Sequence, residues 1–253
     1  MKILFSLFLV LVSLGVEAQM VNIESQRMQT DSVRFAGNMN FNLAYQENNS
    51  ISLFMLKSAL ATQYKSKSLK DIFMVLGNFD LTKSGSQEFS NSAFGHFRYN
   101  RKFSSFFRWE AFAQVQYNKL LSVGIRTLAG TGPRLKLLNK KNGVGYLGTL
   151  YMYEYEETTE LNPEIHRNHR LSSYITFSIS IPKIKGEFVT TSYYQPRLDK
   201  FNDFRFSNQS HLAFHLTQKL RWTTGFSFLY DEFPPAGVSK RALSLDQGFR
   251  IEF

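Results

Sequence analysis

The chain of 253 residues contains no cysteine. That excludes disulfides, thiolate metal sites and cysteine nucleophiles together. Beyond residue 18 it has no apolar run near the roughly 18 residues a membrane-spanning helix needs. Helical periodicity is missing over the same stretch. No Gly-rich phosphate loop, nucleophile elbow or zinc signature occurs, so no motif points to nucleotide, acyl-transfer or zinc chemistry. Proline is scarce, at 6 residues. Four of these, Pro163, Pro196, Pro234 and Pro235, fall in segments that read as loops, where no ladder hydrogen bond is lost.

What is present starts with an export signal. Lys2 supplies a positive n-region, Ile3 to Leu14 form a short apolar stretch, and Val16-Glu17-Ala18 offers a cleavage site. Residues 1–18 are expected to be a signal peptide and Gln19 to start the mature chain. No cysteine follows the apolar stretch, so no lipoprotein anchor is expected. A short periplasmic segment, 19–32, is expected to precede one domain over 33–253.

Within that domain, apolar and polar residues alternate with period two, the signature of strands with one face apolar. Phe35, Gly37, Met39, Phe41, Leu43 and Tyr45 share one face of the first strand; Arg34, Asn38, Asn40 and Asn42 share the other. In the fifth, Phe107, Trp109, Ala111, Ala113, Val115 and Tyr117 oppose Arg108, Glu110, Gln114 and Gln116. Twelve such segments can be marked, each near the roughly 9–11 residues that cross a bilayer on a tilt. Aromatics make up 15% of the chain, including 25 Phe and 12 Tyr, as the two interfacial girdles of a membrane barrel require. The spacing predicts short connections at one end and longer ones, Thr82–Asn91, Glu156–Arg170, Pro196–Asp203 and Asp231–Arg241, at the other. The fold class read from this pattern is all-β, a closed antiparallel transmembrane β-barrel of about twelve strands. It is placed in the bacterial outer membrane with both termini on the periplasmic side. A soluble β-sandwich also alternates, but the chain ends with Leu243, Leu245, Phe249, Ile251 and Phe253 on one face. Phe249, Ile251 and Phe253 are read as the signal that engages the outer-membrane barrel-assembly machinery.

The net charge is +10. Export argues against nucleic acid, so the expected partners are outer-membrane lipids and lipopolysaccharide. The barrel is expected to be a monomer without cofactor or metal.

Histidines are the first place to look for chemistry. His211 and His215 share a strand face but lie roughly 13 Å apart, too far to chelate one ion. His166 and His169 sit in a loop with Glu160 and Glu164, and His96 projects inward. An outer-membrane lipid hydrolase is the enzymatic alternative, and it requires a serine activated by a histidine. Ser210 and His211 are adjacent in sequence and therefore on opposite faces. The expectation is accordingly no enzymatic activity. A sharper constellation lies in the lumen. Pairing Tyr117 with Leu121 puts Phe112 across from Arg126, with Glu110 diagonally beside it, while the next hairpin brings Glu154 and Glu156 to the same arginine. Glu110, Arg126, Glu154 and Glu156 are thus expected to form one charge cluster, either an ionic plug or a selectivity element.

Phe97-Arg98-Tyr99-Asn100, then Glu110-x-Phe112-x-Gln114-x-Gln116-Tyr117, then Arg126-x-x-x-Gly130-x-Gly132, then Tyr151-x-Tyr153-Glu154 form one further pattern. Together they resemble the salt-stress-induced outer-membrane proteins, a barrel family of unknown function. The resemblance covers most of the mature chain and is strongest over 90–160. It implies location and fold, and no established activity. The functional expectation is a structural or envelope-stress barrel, or a narrow passive channel for small solutes.

Overall fold

The computed structural model describes residues 33–49, 51–159, 162–217 and 220–251, with backbone alone at 250 and 251. The expected signal peptide, the 19–32 segment and Phe253 lie outside the described residues.

Alternation of side chains produces strands throughout. In order they are β1 (Phe35–Asn48), β2 (Ile51–Lys65), β3 (Asp71–Ser84), β4 (Gln87–Lys102), β5 (Phe107–Asn118) and β6 (Val123–Lys140). There follow β7 (Gly143–Thr158), β8 (Ile165–Ile181), β9 (Gly186–Pro196), β10 (Phe204–His215), β11 (Leu220–Asp231) and β12 (Arg241–Ile251). All twelve belong to one sheet, in sequence order, with each neighbouring pair antiparallel. The shortest strands have 11 residues and the longest 18, enough to cross a bilayer.

The sheet curls. Strands lie about 4.8 Å apart, so β5 and β8 would sit ~14 Å apart in a flat sheet with parallel side chains. Instead the Tyr174 hydroxyl of β8 donates to Glu110 of β5 at 2.6 Å. Val123 of β6 and Leu229 of β11 even line a common cavity. Side chains of one parity therefore converge on a concave interior, and those of the other form a convex exterior rich in exposed Phe, Tyr, Leu and Ile. The fifth strand divides as its alternation predicts: Glu110, Phe112, Gln116 and Asn118 are buried, whereas Trp109, Ala113 and Val115 are exposed.

Two small apolar clusters occupy the interior. Ala61, Met74, Leu76 and Phe94 pack together with Ile72; Phe112, Leu150, Met152, Tyr174 and Tyr193 pack with Leu128. The second depends on Gly148, where an added Cβ would lie 2.2 Å from the Tyr174 ring. Only a residue without a side chain lets that ring lie flat on β7.

Two connections differ from the sequence expectation. Thr82–Asn91 is no long loop: the β3–β4 ladder runs from Ser84 to Gln87 across a tight turn, with Gly85 in the left-handed region at φ 57. Glycine permits that conformation without steric cost. The 156–170 loop also contracts, because β8 begins at Ile165 and pairs Glu157 with Ile165.

Candidate functional site in the concave interior

Interior parity brings charged side chains from seven strands together, in two clusters rather than one. The first centres on Glu110, whose carboxylate is fully buried. Its Oε1 accepts from Asn100 Nδ2 at 2.8 Å and Arg134 Nη1 at 3.2 Å; its Oε2 accepts from Tyr174 Oη at 2.6 Å and Arg98 Nη1 at 3.2 Å. Arg134 lies over the Tyr146 ring at 3.9 Å, and Arg98 over Phe112 at 5.3 Å. Arg98 Nε donates to His96 Nε2 at 3.3 Å, and His96 stacks between Phe94 and Phe112.

The second cluster lies toward the end with the longer loops and centres on Glu154, also fully buried. Oε2 accepts from Arg170 Nε at 2.7 Å and Asn168 Nδ2 at 3.1 Å. Oε1 accepts from Arg205 Nη1 and faces Arg126 Nε at 3.5 Å. Glu156 accepts from Arg126 Nε at 2.6 Å and Arg205 Nη2 at 3.2 Å. Arg205 then donates to Asp231 at 2.7 Å, and Arg170 to Asp203 at 3.1 Å. Each buried charge is thereby matched and hydrogen-bonded, the condition under which charges persist away from water.

Arg126, Glu154 and Glu156 thus meet, while Glu110 belongs to the other cluster. The reason is register. Arg126 pairs with Gln116 rather than Phe112, and Phe112 faces Gly130. Lys119–Leu121 form a 3-10 turn closed by Ser122 at φ 54, and the ladder shifts between Gln116 and Asn118. These extra turn residues slide β6 along β5 by four positions. Sequence reasoning missed Arg98, Arg134, Arg170, Arg205 and Tyr174. Each sits at interior parity on its strand, a signal available in the alternation. Arg98, Arg134 and Arg170 meet their carboxylates on adjacent strands, so their partners depend on register. Arg205 and Tyr174 instead reach Glu154 and Glu110 across two intervening strands.

The two edge strands of the sheet are different. On β1 the interior residues are Ala36, Asn38, Asn40, Asn42, Ala44 and Gln46, with all three asparagines exposed. On β12 they include Ala242, Ser244, Asp246 and Gly248. Small or neutral side chains replace the arginine–glutamate clusters there. Near the loop end, a cavity with about 170 Å³ of space open to water lies between the 119–121 turn and the 232–240 loop. Arg126 and Arg205 line it together with Leu120, Leu229, Pro235 and Val238.

The remaining sequence candidates are dispersed. His211 projects to the interior and Ser210 to the exterior, where Ser210 hydrogen-bonds Thr190 and Asn208. They do not form a serine–histidine pair. His166 lies 3.4 Å from Glu164, and His169 is held by the Tyr151 hydroxyl and packed on Tyr153; Glu160 lies outside the described residues. Phe249 is 69% exposed on the exterior. The backbone of Ile251 pairs with Leu220.

Residues 54–253 match a protein family described as "Protein of unknown function, DUF481". The match spans β2 to β12 and leaves out β1. No curated protein matches the chain. Among solved structures, one described as "NanC porin structure in rhombohedral crystal form" is similar, with a TM-score of 0.46 and 10% sequence identity. The similarity covers 87% of this chain and 98% of that one.

Proposed function

The chain belongs to the DUF481 family of proteins of unknown function, and we propose that it is an integral outer-membrane barrel acting as a narrow passive channel for small solutes. In this reading β12 pairs with β1 and closes the cylinder, which removes both unpaired edges from lipid. The even antiparallel order, the curl of the sheet and the apolar exterior all support closure.

The observation that carries the channel reading is the uneven filling of the interior. Glu110 and Glu154 are fully buried among arginines, whereas β1, an edge strand of the sheet exposed on both faces, carries the neutral Asn38, Asn40 and Asn42 at interior parity. Solute would pass along the asparagine wall, past a fixed ionic constriction. Neutralised arginines exert little net field, so the path suits small polar solutes without strong charge selection. The cavity floored by Arg126 and Arg205 serves as its vestibule at the loop end. Resemblance to the salt-stress-induced outer-membrane proteins adds an envelope-stress setting to this proposal, and the interior is assigned no catalytic role.

Planar-bilayer recording of the purified barrel tests it. Discrete conductance steps are expected, reduced when Asn40→Trp narrows the asparagine wall. A wild-type protein that inserts but passes no current would instead be a sealed structural barrel.

A further inference from the structure

The two ends of the sheet differ in charge. At the end of the shorter turns, Lys65, Lys67 and Lys70 lie around the β2–β3 connection and Lys102 at the β4–β5 connection. Lys140 and Lys141 lie at the β6–β7 turn, and Lys183 and Lys185 in the β8–β9 turn. None of these ammonium groups makes an ion pair or hydrogen bond among the described residues. The described acids at this end are Asp71 and Glu187, and arginines already occupy both. Asp71 faces Arg101 at 3.0 Å, and Glu187 faces Arg221 at 3.2 Å.

Cations at the opposite end are matched more evenly. Lys119 pairs with Glu88 at 2.7 Å, Lys240 with Glu232 at 2.9 Å, and Arg197 with Asp199 at 2.6 Å. The chain's positive excess is therefore concentrated around the short turns, as a ring of unpaired lysines.

Just inside that ring the exterior carries aromatic side chains. Tyr64 stacks on Phe73, which packs on Tyr99; Phe107 packs on Trp109, and Phe214 on Trp222. Arg34 lies over Tyr64 and Arg101 over Phe103, each within 5.7 Å of the ring centroid. Amphipathic rings with long cations immediately beyond them suit the headgroup level of a bilayer. Long lysine stems can reach along the headgroup surface from there.

We propose that this lysine ring binds the headgroups of anionic phospholipids in the leaflet surrounding the short turns. The inference rests on the membrane reading above. It assigns the basic surface to phospholipid at the turn end rather than to lipopolysaccharide at the loop end. Charge complementarity selects the ligand, since unpaired lysines near a surface attract phosphodiester groups within a Debye length.

The chain's two tryptophans, Trp109 and Trp222, both sit at this end and report on it directly. The full barrel is reconstituted in mixed vesicles of phosphatidylglycerol and phosphatidylcholine, one or the other brominated, and tryptophan quenching is measured. Brominated phosphatidylglycerol should quench as if bound roughly three- to tenfold more tightly than brominated phosphatidylcholine at low salt. The preference should shrink in high salt and fall close to unity in a Lys102→Gln, Lys140→Gln, Lys141→Gln, Lys185→Gln variant. A Lys200→Gln, Lys240→Gln variant at the other end should retain it. Equal quenching by both lipids in the wild type overturns the proposal while leaving the barrel in the membrane. A preference that survives the fourfold change overturns it as well. No quenching by either lipid would refute the membrane reading together with this inference.

Discussion

Glu154 on β7 and Asn40 on β1 both point to the concave face of one sheet, in contrasting surroundings. Glu154 is fully buried, with three arginines about its two oxygens. Asn40 is exposed, between Asn38 and Asn42 at the same parity of the same strand. One wall is thus fixed by charges that cannot be separated without leaving one of them unpaired. The other holds mostly small or neutral side chains, the asparagines of β1 among them. In the proposed channel, one side of the interior is stabilised and the other left passable, because the two demands fall on different strands.

The largest expected effect breaks the first wall. Glu154→Ala leaves Arg126, Arg170 and Arg205 deprived of their shared carboxylate, and removing one member of a buried charge cluster typically costs about 3–5 kcal/mol. Asn40→Ala on the exposed wall should change stability by less than about 0.5 kcal/mol. Urea unfolding of the refolded barrel, followed by tryptophan fluorescence, measures both. Similar losses at the two sites would erase the distinction.

A smaller effect is expected at two interior glycines. Gly148→Ala would put a Cβ 2.2 Å from the Tyr174 ring and force it away from Glu110, an overpacking cost of about 1–3 kcal/mol. Gly248 on β12 has Thr223 Oγ1 as its nearest neighbour, at 3.4 Å. Alanine there should be nearly neutral in the same unfolding measurement.

Much of this contrast was legible in the sequence. Alternation gave the strands and their parity, so Glu110, Arg126, Glu154 and Glu156 were all correctly directed inward. The asparagines of β1 were likewise placed on the face opposite Phe35 and Met39. Partner identity was not legible, because it depends on register and on curl. The 3-10 turn at Lys119–Leu121 moved Arg126 opposite Gln116, and a four-residue slide preserves parity while changing every neighbour. Tyr174 reaches Glu110 across two intervening strands, a contact that no pairwise hairpin argument contains. The short β3–β4 turn was hidden for a related reason. Polar residues around Gly85 look like loop, yet the same residues extend a ladder that passes beyond the apolar band.

The smallest effect concerns the loops at the far end. Hydrogen bonds from Arg197 hold the Asp199 carboxyl below the usual range, and hydrogen bonds from Tyr230 and then Lys240 do the same for Glu232. A depressed carboxylate pKa contributes stability above the unfolded value, and this is lost as pH falls through the folded one. The 197–203 and 232–240 loops should therefore loosen as pH falls below about 4, while the interior ladder holds. Amide NMR signals of these loops in detergent, followed from pH 6 toward pH 2, should broaden or shift before those of β5–β8. Simultaneous loss would tie the loops to global unfolding.

The absence of cysteine makes the central claim open to direct measurement. Single cysteines are placed at Asn40 and Ser244 on the open wall, and at Met152 and Thr191 on the packed wall, each in a barrel reconstituted in a planar bilayer. A water-soluble anionic methanethiosulfonate should react rapidly at positions 40 and 244 and step the current down, and leave positions 152 and 191 unmodified. Ready labelling at 152 or 191, or current unchanged by complete labelling at 40 and 244, would contradict a passage along the β1–β12 wall.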